Sequence, residues 1–134
     1  MEIKRIIEYE YNYAEYEVTD GMHSLICMCL SVPLKHGKEP QVGMKIAKLY
    51  AFSYGETINI GIADCKECDI QKKNYFGYEL RGSVLDVNKA IIKIFGFMVD
   101  LSDYYPNGFG NVAKIGDYVT FQVDRLDCTI LGEN

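Results

Sequence analysis

The stretch from Glu8 to Asp20 holds five acidic residues (Glu8, Glu10, Glu15, Glu17 and Asp20), four tyrosines (Tyr9, Tyr11, Tyr13 and Tyr16) and no basic residue. Tyrosine supplies a large, rigid contact area with a polar tip, and carboxylates around it steer a basic partner. The candidate binding residues are therefore Glu8, Tyr9, Glu10, Tyr11, Tyr13, Glu15, Tyr16 and Glu17. A half-buried strand with a charged outer face accounts for the same letters, and homodimerisation through this edge is a further use of them.

Other residues with chemical potential are less well placed. Cys65-x-x-Cys68 has the spacing of half a zinc site, but tetrahedral zinc needs two more ligands. No second pair at the Cys-x-x-Cys spacing lies among Cys27, Cys29, Cys128, His23 and His36, so Cys65 and Cys68 are weak metal candidates and no cofactor is expected. Asp64, Glu67 and Asp69 beside them would raise the thiol pKa values and disfavour redox thiolates. Cys27 and Cys29, at i and i+2, suit core packing. Both histidines are isolated from any local nucleophile or carboxylate pair. Asp100, Asp103, Asp117, Asp124 and Asp127 could hold a hard cation or perform acid–base work, which would make a metal-dependent enzyme. They fall mainly at expected strand ends and turns, where Asp is favoured for local hydrogen bonding. Asn107-Gly108-Phe109-Gly110-Asn111 contains Gly-x-Gly without a third glycine or a following helix, so it fails as a phosphate cradle. With no Walker, Gly-x-Ser-x-Gly or His-Glu-x-x-His motif either, the expectation leans away from an enzyme.

The elements that must position these residues follow from composition and pattern. A length of 134 residues suits one domain with one core. The net charge of −5 is spread evenly, which argues against a duplex nucleic-acid binder, whose affinity depends on Lys and Arg. Hydrophobic residues at 49% and charged residues at 25% exclude global disorder. The N-terminus meets Glu2, Glu8 and Glu10 before any apolar run of signal-peptide length, and no apolar stretch approaches the roughly 18 residues of a membrane span. A cytoplasmic protein with reduced thiols and no membrane association is expected.

Alternation of β-branched and aromatic residues with polar ones predicts a mostly β chain. Strands are expected over about 3–19, 22–33, 44–54, 57–62, 75–87, 90–101 and 117–128. Asp20-Gly21, Gly55-Glu56 and Asn88-Lys89 make turns, and Pro33 ends the second strand. The strand at 22–33 is apolar on both faces, which predicts a central position. Residues 64–74 read as a polar connector with a helical turn. The expected core comprises Ile26, Met28, Leu30, Ile46, Leu49, Ile60, Val84, Ile92, Ile94, Phe97, Val119, Phe121 and Val123.

Two halves, about 1–63 and 75–128, read as pseudo-repeats of three strands joined by the connector at 64–74. Asp20 aligns with Asp86, and Val42-Gly43 with Ile115-Gly116. Gly82-Ser83-Val84-Leu85-Asp86-Val87, then Ile91–Val99, then Lys114-Ile115-Gly116-Asp117 leading into Tyr118–Val123, resembles the first strands of an OB-fold or similar small barrel. That resemblance, over about residues 78–128, implies a single antiparallel barrel, or a barrel-like sandwich, with a concave ligand face. The expected function is that of a non-enzymatic binding protein, in an inhibitor, immunity-type or adaptor role, whose acidic Tyr/Glu surface engages a more basic protein. The alternative is an OB-like barrel that binds a small molecule or single-stranded nucleic acid in its concave face.

Overall fold

The computed structural model describes residues 1–30, 32 and 34–133. Their alternating and β-branched segments form eleven strands: β1 (Glu2–Tyr9), β2 (Ala14–Thr19), β3 (Ser24–Cys29), β4 (Ile46–Phe52), β5 (Gly61–Ile62), β6 (Asp69–Lys72), β7 (Tyr78–Asp86), β8 (Ile91–Ile94), β9 (Phe97–Asp100), β10 (Tyr118–Val123) and β11 (Arg125–Ile130). One short 3₁₀ turn, Lys35–Gly37, is the sole helical element among the described residues.

The strands make one sheet in the order β1-β2-β3-β11-β4-β9-β8-β7-β10-β5, with β6 beside β7. It is a mixed sheet. Met28 of β3 runs parallel to Asp127 of β11, and Leu49 of β4 runs parallel to Val99 of β9. The other pairings are antiparallel, as alternation and turn chemistry predict, so it is the single antiparallel barrel that the two parallel pairs correct: a parallel pair joins strands far apart in sequence and leaves no local signal. The path is open, ending at β1 and β5. The outer edge of β1 is nonetheless occupied. Ile3 N–H donates to the Met44 carbonyl at 2.9 Å, Gly43 N–H donates to Ile3 at 2.8 Å, and Glu2 stands opposite Lys45.

Several strand boundaries differ from those expected. The segment 3–19 is two strands, because Glu10 N–H donates to the Tyr13 carbonyl at 2.9 Å and closes a hairpin turn. No Gly or Pro marks this turn, and the Tyr/Glu alternation runs straight through it. The segment 90–101 splits at Phe95-Gly96, and 117–128 splits at Asp124. Of 57–62, only Gly61–Ile62 is strand. The helical turn expected within 64–74 is replaced by β6, whose residues Asp69–Lys72 pair with Tyr78–Arg81. The strand expected over 22–33 is confined to Ser24–Cys29, and the role given to Pro33 lies outside the described residues.

Burial follows the period-two rule on most strands. Ile46, Leu49, Val84, Ile92, Ile94, Phe97, Val119, Phe121 and Val123 are in the core. On β3 the phase is reversed: Leu25, Cys27 and Cys29 are buried, Ile26 and Met28 are half-buried and Leu30 is exposed. Ile60 is also only half-buried. The second apolar face of β3 has a physical reason, because the β6–β7 hairpin lies over it. Tyr78 Oη accepts a hydrogen bond from Ile26 N–H at 2.8 Å.

The two strand-connecting turns 20–23 and 95–96 are tied together by one carboxylate. Asp20 Oδ1 accepts from the N–H groups of Met22 (2.9 Å) and His23 (2.7 Å), and Oδ2 accepts from Gly96 N–H at 2.9 Å. The His23 ring stacks on Phe95 at 3.7 Å. A Cβ at Gly96 would sit 2.7 Å from Asp20 Cβ, so this approach requires glycine. Gly82 in β7 is needed for the same kind of reason, since a Cβ there would lie 2.3 Å from the Lys93 carbonyl oxygen.

Candidate functional site

Along β2, Ala14, Tyr16 and Val18 point into the core, which sends Glu15 and Glu17 to the opposite face. Glu17 is neutralised there. Arg5 Nε donates to its Oε1 at 3.0 Å and Lys4 Nζ lies 3.6 Å from Oε2. The Arg5 hydrogen bond holds the Glu17 carboxyl below its usual range. Glu15 has a different setting. It stands opposite Glu8 in the β1–β2 ladder and opposite Met28 in the β2–β3 ladder, and it is only 9% exposed.

The covering comes from the β6–β7 turn, 60 residues away in the chain. Tyr75 Oη donates to Glu15 Oε2 at 2.9 Å, and that bond chiefly holds the Tyr75 phenol above its ordinary pKa. The turn itself is set by Asn74, whose Oδ1 accepts from Gly77 N–H at 2.7 Å, and by Lys73 N–H donating to Gly77 at 2.9 Å. Between this turn and the outer face of β2 and β3 lies an open cleft of about 420 Å³. Its lining among the described residues is Asn12, Tyr13, Glu15, Met28, Leu30 and Phe76. An apolar-walled recess of this size with one buried carboxylate fits a side chain or small ligand.

The eight candidate residues separate accordingly. Tyr13 and Glu15 line the cleft, and loss of water, followed by the Glu8 carboxylate, raises the Tyr13 phenol pKa. Glu8 and Glu10 are exposed, Tyr9 is 41% exposed and Tyr11, in the turn beside Asn12, is 87% exposed. Tyr16 belongs to the core and is fully buried. Burial above all, and then its neighbours Cys29 and Cys128, push its phenol pKa far up. Met28, Leu30, Tyr75 and Phe76 were not anticipated as site residues. The signal for the last two was available: adjacent aromatics between Asn74 and Gly77, in a turn that offers no core to receive both.

The remaining chemical candidates are dispersed. Cys65 is exposed and Cys68 half-buried, its thiol 3.9 Å from the Lys93 carbonyl. Cys27, Cys29 and Cys128 are buried; burial raises the Cys27 thiol pKa, and contact with Cys29, then burial, raises that of Cys128. The raised values suppress thiolate formation at Cys27 and Cys128. Each of four aspartates has a partner, Asp117 and Asp127 a local one and Asp100 and Asp124 one on a distant segment: Asp100 with Lys48 Nζ (2.9 Å), Asp117 with Lys114 N–H (2.9 Å), Asp124 with Tyr54 N–H (2.8 Å) and Asp127 with Arg125 (3.0 Å from Nη2). Among the described residues, no three His, Cys, Asp or Glu side chains are grouped to hold a metal. No helix among them is long and apolar enough to cross a membrane. Comparison of this chain with protein-family models, curated proteins and solved structures gave no match.

Proposed function

We propose that this chain is a non-enzymatic binding protein whose β1–β2 hairpin engages a more basic protein, in an inhibitor, immunity-type or adaptor role. One observation carries the reading. Glu8, Glu10 and Glu15 form no ion pair among the described residues, although Glu2 and Glu17 of the same hairpin do, and the unneutralised group sits beside the exposed rings of Tyr9 and Tyr11. Unpaired carboxylates around exposed tyrosines favour association with positive charge, the tyrosines supplying contact area and the carboxylates encounter rate. A second copy of this chain, with the same acidic face, is a poorer partner for it.

A second reading, a ligand in the concave face of an OB-like barrel, draws support from strand pairing. The bonds between Ile3 and residues 43–44 would close β1-β2-β3-β11-β4 into a ring, with β3 and β11 parallel. A similar pattern joins β7-β8-β9 to β4 and β10, with β9 and β4 parallel. Both patterns also support duplication within one domain, since β4 returns to the first strand of one meander and β10 to the first strand of the other. The acidic surface favours a small molecule over a nucleic-acid backbone in such a face.

Fluorescence anisotropy with matched peptides of net positive, zero and net negative charge tests the binding reading. The positive peptides should bind, lose affinity with salt, and lose affinity on Tyr11→Ala or Glu8→Gln. Binding indifferent to peptide charge, or none, would overturn it.

A further inference from the structure

We infer that the cleft between the β1–β2 and β6–β7 turns is a receptor for one cationic side chain, lysine or arginine, of the basic partner. The inference rests on the binding reading above and assigns its central contact. Tyr13, Met28, Leu30 and Phe76 offer apolar walls to an aliphatic stem, while Glu15 lies among them as the one carboxylate of the lining among the described residues. Long basic side chains are built this way, apolar along the stem and charged at the tip.

The free protein also carries a charge arrangement that a cation would relieve. Glu8 and Glu15 face each other directly across the β1–β2 ladder, and like charges so placed repel. Arg5 and Lys4 are engaged by Glu17. Tyr75 satisfies Glu15 Oε2 only, so Oε1 retains its capacity to accept from an ammonium or guanidinium. Tyr75 is thus a positioning residue that fixes the carboxylate, and the cation donates to the carboxylate it holds in place.

The test is an NMR titration of the ¹⁵N-labelled full chain with Nα-acetyl-lysine N-methylamide and its arginine counterpart, using the norleucine derivative as a neutral isostere. The cationic probes should shift the amides of Glu15, Met28 and Phe76 and the neutral probe should not. Glu15→Gln should weaken binding about tenfold or more, consistent with loss of a charge-assisted hydrogen bond, while Glu56→Gln, at an exposed position outside the lining, leaves it unchanged. Equal binding of norleucine, no shifts from the cationic probes, or unchanged affinity in Glu15→Gln would overturn the inference. Should Glu15→Gln fail to fold, Phe76→Ala carries the test by removing one wall, with the same loss expected and retained affinity overturning the inference. Failure here is distinguishable from failure of the wider reading: basic peptides would then still bind and still lose affinity on Tyr11→Ala, but not on Glu15→Gln or Phe76→Ala.

Discussion

The Tyr75 hydroxyl donates to the Glu15 carboxylate across 2.9 Å and 60 residues of sequence, joining the β6–β7 turn to the outer face of β2. Tyr75→Phe removes that donor and leaves a largely buried carboxylate oxygen without a partner. Since the Tyr75 ring is itself half exposed, the expected cost is at the low end of the range, about 1 kcal/mol, read as a lower urea midpoint at unchanged slope. An unchanged midpoint would mean that water replaces the phenol and the turn is not fastened there.

Tyr16 and Tyr11 are five residues apart and should behave oppositely. Tyr16→Ala empties a fully buried site and should cost about 3 to 5 kcal/mol in a chemical melt. Tyr11→Ala removes an exposed ring and should leave stability within about 0.5 kcal/mol.

Gly82→Ala places a methyl group against the Lys93 carbonyl and the Ile94 side chain, so β7 and β8 must separate locally. A loss of about 1 to 3 kcal/mol is expected, by analogy with overpacking, accompanied by faster hydrogen exchange at Ser83 and Lys93. Stability equal to that of the parent would contradict the β7–β8 pairing.

Asp20 gives a pH prediction. Burial alone would raise its carboxyl pKa, but the N–H groups of His23, Met22 and Gly96 hold it well below the ordinary value. Its folded pKa is therefore lower than its unfolded one, so its stabilisation is complete above the unfolded value of about 4 and is lost as pH falls through the acid range. Thermal melts from about pH 5 to pH 3 should show a smaller loss of Tm for Asp20→Asn than for the parent. Equal slopes would show that the carboxylate charge does not fasten the two turns.

Strand content and most of the core were legible because alternation reports burial on one face: Ile92 and Ile94, or Val119, Phe121 and Val123, need no tertiary knowledge to be placed. β3 was misphased because both of its faces are apolar, and choosing between Leu25-Cys27-Cys29 and Ile26-Met28-Leu30 depends on what packs over each. The Tyr/Glu segment was visible, but its division was not. Its turn at residues 10–13 uses no Gly or Pro, so 3–19 reads as one continuous strand and Tyr13 and Tyr16 as members of one binding set, when one lines a cleft and the other fills the core. Tyr75 and Phe76 reach the site through the β6–β7 pairing, and the polar composition of 64–74 makes β6 read as a connector although the adjacent aromatics mark the turn.

Photocrosslinking through a photoreactive phenylalanine analogue at position 11, in the cells that naturally make this chain, tests the central claim most directly. A basic protein should be captured from position 11 and not from a control probe at Met98 on β9, and capture should fall when Glu8 and Glu10 are changed to Gln. No adduct at position 11, equal adducts at both positions, or capture of an acidic protein indifferent to those changes would contradict it.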